Sequence, residues 1–327
     1  MKNKNKILSL IACLSLLSSC NKSVDPSSSC SVTTSTPTST VTPSVTKTVE
    51  ELNNELFENY ANVNSSGSLI SFKDNIPEEY LNLETIIIPE EISTRKIYTI
   101  DSKSGGTFSQ FTNVRTIIIP PTINNIFFST NSASSSSPFN NLPKLENIKV
   151  DGNDWYYSKG NCLIEREWTG STFENRQPNG ELALVCGWGD VEIPTEVTTI
   201  RDYAFANNSS ITSIKLHDKV EITKSNETAF GMHSYAFKFL SNLKEITIDE
   251  KNNLYAIDEG TNILYLKENK TIIAGWGDVK IPENRISEIE GLTDICLRCF
   301  TSVTSCVIPS TITRIPAYAF QIQKLKH

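Results

Sequence analysis

The sequence predicts a repeat solenoid, mainly β, in which short strands alternate with 3₁₀-like or irregular return segments behind an N-terminal capping helix. Three observations predict it. An aromatic anchor recurs at fixed spacing, a short apolar alternation follows each anchor, and one nine-residue stretch returns 88 residues later.

In chain order, Lys2, Lys4 and Lys6 precede an apolar run of 11 residues, Ile7 to Leu17, which suits a signal segment and is too short to span a bilayer. Leu17-Ser18-Ser19-Cys20 then resembles a bacterial lipobox, so residues 1–19 are expected to be removed and Cys20 to be lipidated. Residues 20–48 read as a tether: from Ser23 to Thr48, 26 positions hold 8 Ser and 8 Thr with three prolines. That composition buries too little apolar surface to offset its ordering entropy. A coil of that length reaches on the order of 30 Å. Thr48-Val49-Glu50-Glu51 has the form of a capping box, and Val49, Leu52, Leu56, Phe57 and Tyr60 share one helical face, so residues 49–79 are expected to supply a cap helix and lead-in.

The solenoid is expected over 80–320. Phe108 to Pro120, Phe139 to Asp151, Phe205 to His217 and Phe237 to Asp249 are each steps of 12, and shorter steps of 9 run from Tyr80 to Pro89 and from Phe300 to Pro309. Within them Val114-Ile117-Ile119, Leu145-Ile148-Val150, Ile211-Ile214-Leu216 and Leu243-Ile246-Ile248 repeat one L-x-x-I-x-I pattern. Its second half has period two and β-branched residues, the mark of a strand with one buried face. Proline after the strand blocks its extension. Apolar residues every three, as in Pro194-x-x-Val197-x-x-Ile200-x-x-Tyr203, predict a tightly coiled return. Such a unit cannot enclose its own apolar face, so successive turns must stack. Cys186 to Pro194 and Ala274 to Pro282 agree at seven of nine positions, and the stretches before them, Asn153 to Ile164 and Asn252 to Tyr265, read as hairpins. Residues 321–327 remain as a tail or partial cap.

The I-x-I-Pro strand, the Tyr-Ala-Phe return and the interspersed Asn-Tyr hairpin resemble the BspA-type leucine-rich repeats of bacterial and some protist surface proteins. The resemblance covers roughly residues 80 to 320, interrupted by the Ser-rich insert Ser129 to Pro138. It implies a surface-exposed lipoprotein that binds protein or glycan ligands, with adhesion to host or other cells the usual assignment, anchored to the bacterial membrane through its lipid alone. A surface glycan-acting enzyme on a stacked-β scaffold, or a self-associating structural protein, are the alternatives.

Composition argues in the same direction. Lys and Arg number 30 against 37 Asp and Glu, for a net charge of -7, so no basic stripe is available for a nucleic-acid partner. Three His, and no glycine-rich phosphate loop, leave no expectation of a metal, a cofactor or catalysis. His217 reads as a solvated turn residue. Asp190 and Asp278, a whole period apart, read as one structural element used twice, through Asx-type turn bonding. Repeat alignment makes the cysteines small apolar fillers: Cys306 takes the slot of Ile117 and Ile214, Cys186 that of Ala274, Cys162 that of Ile263, and Cys299 that of Ala204. A Cys162–Cys186 disulfide is the alternative for that pair. The first hairpin carries ten more residues than its twin, within Glu167 to Gly180. Trp168, Phe173 and Arg176 there, with Trp155, Tyr156 and Tyr157 nearby, are the candidate binding residues if they form an exposed aromatic patch; the competing reading packs the rings on the hairpin itself.

Overall fold

The computed structural model describes residues 47–102, 106–127, 137–169, 177–222, 235–268, 272–282 and 300–310. The signal segment, Cys20, most of the tether, most of the Ser-rich insert, Phe173, Arg176, Cys299 and the tail lie outside them.

The helix forms where its cap predicts, over Val49–Tyr60. Thr48 Oγ1 accepts the Glu51 amide at 3.1 Å and the Glu51 carboxylate accepts the Thr48 amide at 2.7 Å, closing the box. Leu56 and Phe57 are buried, whereas Val49, expected on the same stripe, is exposed. Asn53 takes the buried place instead, 1% exposed, for a reason the apolar periodicity could not show. Its Nδ2 donates to Thr85 O at 3.0 Å and its Oδ1 accepts the Ile87 amide at 2.8 Å. A primary amide carries the same donor and acceptor as a peptide, so Asn53 pairs with the open edge of the first coil strand.

Beyond the helix the predicted strands stack in parallel. Thr85–Ile87 pairs with Thr116–Ile119, which pairs with Asn147–Val150. Further on, Asp190–Glu192, Ser213–Leu216 and Glu245–Ile248 form the same ladder again. Register places Ile86, Ile117 and Ile148 in one file and Val191, Ile214 and Ile246 in the other, all buried. Hence the central residue of each alternation stacks on its counterpart in the next coil. A second set of parallel ladders comes from the return segments. Leu69, Ile100 and Ile126 align in one, Leu184, Ile200 and Ile222 in the other. The core lies between the two sets.

Aromatic anchors close the third side. Phe108, Phe139, Phe205 and Phe237 are all fully buried. Phe108 and Phe139 stack at 6.0 Å, and Phe205 meets Phe237 at 5.4 Å. Two residues after the last three anchors the backbone turns left-handed, at Asn141, Asn207 and Phe239. Asparagine tolerates that conformation; phenylalanine is an unusual occupant. The return segments are mostly isolated i to i+3 turns, such as Val197 N to Pro194 O at 2.9 Å and Ala206 N to Tyr203 O at 3.0 Å. Among the described residues one 3₁₀ helix forms, Tyr235–Phe237. Phe300 departs from its expected place as an anchor: it opens the strand Phe300–Val307 itself.

Candidate binding face and hairpin

Two hairpin units interrupt the coils, and the same polar side chains build both. Asn153 donates to Pro120 O at 3.0 Å and Ile123 O at 2.7 Å while its Oδ1 accepts the amides of Trp155 and Tyr156. Asn252 repeats this towards His217 O at 3.0 Å, with the amides of Leu254 and Tyr255 on its Oδ1. Each asparagine thus clasps the preceding coil to the first hairpin strand. A cation closes each clasp from outside: Arg166 on the carbonyls of Asn153, Asp154 and Tyr156, and Lys267 Nζ on Asn252 O at 2.5 Å.

The Trp-Gly-Asp turns are equally matched. Asn161 Nδ2 donates to Asp190 O at 2.9 Å and Asn262 Nδ2 to Asp278 O at 3.1 Å. The two aspartates do serve one structural role twice, but their carboxylates reach the next coil rather than their own turn. Asp190 accepts the hydroxyls of Thr212 and Ser213, and Asp278 those of Thr304 and Ser305 at 2.6 and 2.8 Å. These hydroxyl bonds hold both carboxyls below the ordinary aspartate value.

Placement of the candidate aromatics follows from the clasps. Tyr156 is buried, its hydroxyl 3.5 Å from Glu165 Oε1. Trp155 is half-buried against the first core cluster. Tyr157 packs on the second, with the Arg166 guanidinium 4.8 Å above its ring. These three rings therefore pack on the hairpin and coils, and do not make an exposed patch. Trp168 lies on the long strand Cys162–Thr169, its backbone opposite Pro178. The ten extra residues take shape here: pairing continues out to Thr169 and Gln177, whereas the twin strand stops at Leu266.

Cys162 and Cys186 are buried free thiols. Cys162 pairs opposite Gly187 and Cys186 opposite Leu163, so adjacent positions of the ladder send them into different core clusters, and the candidate bridge is not formed. Their twins Ile263 and Ala274 face Gly275 and Leu264 in the same register, which is the apolar-filler slot. Burial pushes both thiols well above the usual range, which disfavours the reactive thiolate. His217, expected in solvent, is 9% exposed. Its Nε2 lies 2.8 Å from Val197 O and its Nδ1 accepts the Lys219 amide at 3.1 Å, so it buttresses the coil.

Polar groups at the base of the long hairpin escaped sequence reading. Arg201 reaches Glu165 at 2.9 Å and Glu167 at 3.1 Å. The charge alternation Glu165-Arg166-Glu167 within a strand was the available sign. No group of three or more His, Cys, Asp or Glu is arranged to hold a metal ion among the described residues. Of the outward coil positions, Asn147 and Lys149 on one ladder and Glu192, Lys215, Glu245 and Thr247 on the other are open to solvent, whereas Thr85, Ile87, Thr116 and Ile118 are half-buried.

With stacked L-x-x-I-x-I coils and anchor files established, the family comparison is decisive. Residues 185–261 and 277–327 match the BspA type leucine rich repeat region, in six copies. These stretches are BspA-type leucine-rich repeats. The coils from Tyr80 to Val150, outside the matched residues, form a parallel ladder like that of Asp190 to Ile248. Among solved structures the chain is similar to a leucine rich cell surface protein from Faecalibacterium prausnitzii, with 18% identity over 73% of this chain and 57% of that one and a TM-score of 0.33. It is also similar to a leucine-rich repeat protein from Eubacterium ventriosum, with 16% identity over 77% of this chain and 60% of that one and a TM-score of 0.31. A third is the pneumococcal vaccine antigen PcpA, with 15% identity over 62% of this chain and 40% of that one and a TM-score of 0.26. The chain spans less than two thirds of the length of each. No curated protein matches its sequence.

Proposed function

We propose that this chain is a lipid-anchored bacterial surface protein that works by binding a protein or glycan partner, with adhesion to host or neighbouring cells as its role. The carrying observation is the division of labour on each coil strand. On the ladder from Asp190 to Ile248 inward residues fill the core, while the outward ones, Asp190, Glu192, Ser213, Lys215, Glu245 and Thr247, form rows of hydroxyl and charged side chains on three parallel strands. A rigid ladder of this kind presents side chains at a fixed spacing of about 4.8 Å, with little ordering cost on binding. BspA-type repeats on surface proteins, and leucine-rich repeats in general as binding scaffolds, support the same reading. Cys20, at its lipobox, supplies the anchor.

Binding of residues 46–327 to intact host cells and an extracellular-matrix panel tests it. Saturable binding that weakens on Lys149→Glu with Lys215→Glu, or on Trp168→Ala with Arg176→Ala, supports the reading. A fragment folded by circular dichroism that binds nothing overturns the adhesive role. Separately, Cys20→Ala is expected to release the chain from the membrane fraction, and its retention there would overturn the anchor.

A further inference from the structure

We propose that His217 is a proton-sensitive latch: a second proton on its ring breaks the turn it holds and loosens the Asn252 clasp that ties the second hairpin to its coil. The ring's two partners fix where its one hydrogen sits. Nε2 lies 2.8 Å from Val197 O, which can only accept, so Nε2 carries the hydrogen. Nδ1 lies 3.1 Å from the Lys219 amide, which can only donate, so Nδ1 carries the lone pair. The neutral ring with its hydrogen on Nε2 is the one form that satisfies both neighbours.

A second proton has only Nδ1 to enter, and the Lys219 N–H already points there. Two donors cannot share one line, so the imidazolium gives up the amide. A replacement stands beside it: Asp218 Oδ1 is 3.7 Å from Nδ1, too far for a hydrogen bond as placed but close enough to receive one after a small movement of the turn. Two other carboxylates surround the ring. Glu196, from the preceding coil, is bonded to Lys159 at 2.5 Å and lies within electrostatic reach of the imidazole. Asp249 fills the slot of His217 on the next coil, its Oδ1 accepting the Lys251 amide at 2.9 Å.

The clasp feels the exchange because it is built on the same residue. Asn252 Nδ2 donates to His217 O at 3.0 Å, and its Oδ1 holds the amides of Leu254 and Tyr255 at 2.9 and 2.8 Å. A turn drawn towards Asp218 carries that carbonyl with it. The first hairpin supplies the contrast: Asn153 donates at 3.0 Å to Pro120 O, the same slot of an earlier coil, and proline has nothing to protonate. The sign follows. The Lys219 bond to Nδ1 exists only with the neutral ring, so its contribution is present at high pH and lost as the ring takes up its second proton.

Nitrogen-15 spectra of the histidine rings and hydrogen exchange of the whole chain, relative to intrinsic exchange, test the latch from pH 8 to 5, the span over which histidine ordinarily changes charge. At pH 8 His217 should show its hydrogen on Nε2. Towards pH 5 protection of the Lys219, Leu254 and Tyr255 amides should fall by about tenfold, the equivalent of one hydrogen bond, while that of Trp155 and Tyr156 stays constant. His217→Pro, which places in this slot the residue found at 120 and 194, should hold Leu254 and Tyr255 constant across the range. A hydrogen on Nδ1 at pH 8, an equal fall in both hairpins, no fall in the natural chain, or a fall at Leu254 and Tyr255 that survives His217→Pro overturns the proposal.

Discussion

Replacing Asn53 by alanine would expose how the solenoid's first edge is closed. The edge strand Thr85–Ile87 turns one row of peptide groups away from its neighbour, and Asn53 satisfies one acceptor and one donor of that row at 3.0 and 2.8 Å. Its third bond, to Val49 O within the helix, adds little, because that carbonyl has the ordinary helical acceptor role. Alanine leaves two part-buried backbone groups unpaired, and at the full burial cost of about 1–3 kcal/mol each the upper bound is about 6. Water entering the vacated space recovers part of this, which sets the expectation at about 2–4 kcal/mol. Asn53→Leu keeps the volume but removes both bonds and should lose a similar amount, which separates pairing from packing. Asn59→Ala, which removes a single exposed bond to Glu55 O, should cost under about 0.5 kcal/mol.

Urea denaturation gives the global loss, and exchange of the Ile87 amide gives the local one, which matters because stacked coils can unfold from an end. If Asn53→Ala cost no more than Asn59→Ala, or if the Leu variant were as stable as the natural chain, the edge-pairing argument would fail. An unmasked edge also invites strand addition, so light scattering should show self-association of the alanine variant at high concentration.

Three further outcomes are expected. Asp190 and Asp278 are held below 3.8 by hydroxyl bonds, so their contribution is present above the unfolded value and lost as pH falls through the folded one; melting temperature should drop below about pH 4 more steeply in the natural chain than in an Asp190→Asn, Asp278→Asn variant. His217→Ala deprives Val197 O and the Lys219 amide of their partner and should cost about 1–3 kcal/mol in chemical denaturation, with an unchanged midpoint counting against the buttress role. A Cβ at Gly160 would stand 2.3 Å from Glu192 O, whereas one at Gly180 meets nothing within 4 Å. Both have positive φ, so Gly180→Ala should cost about 1 kcal/mol and Gly160→Ala clearly more; equal midpoints would refute the close approach.

Coil strands, the anchors other than Phe300, and the slots of Cys162 and Cys186 were legible in the sequence because each is an apolar position repeated at a fixed period. The residues that escaped are polar groups whose partners lie on another coil. Asn53 reads as a solvent-facing helix residue until its partners at Thr85 and Ile87 are known, 32 and 34 positions away. The Asn153 and Asn252 clasps hide for the same reason, although their recurrence before Trp155-Tyr156 and Leu254-Tyr255 was a usable sign. The aromatic cluster left two readings open. Trp155, Tyr156 and Tyr157 allowed either an exposed patch or packing on the hairpin, and the structure takes the second: the clasp draws the chain inward at Asn153 and their rings follow it.

Comparing the twins separates scaffold from the rest in a way neither hairpin does alone. Asn153 and Asn252, Asn161 and Asn262, Asp190 and Asp278, and Arg166 and Lys267 do the same work in both units, so architecture accounts for them. Glu165 has no such counterpart: buried Leu266 stands in its place. Nor does the twin extend its strands as far as Trp168 and Thr169. Folding the hairpin does not require a carboxylate where its duplicate is content with leucine. The Glu165–Arg201 pair and the outer rungs are therefore the features of the hairpin that the repeat leaves unexplained, and they are where substitutions should alter binding without dismantling the solenoid.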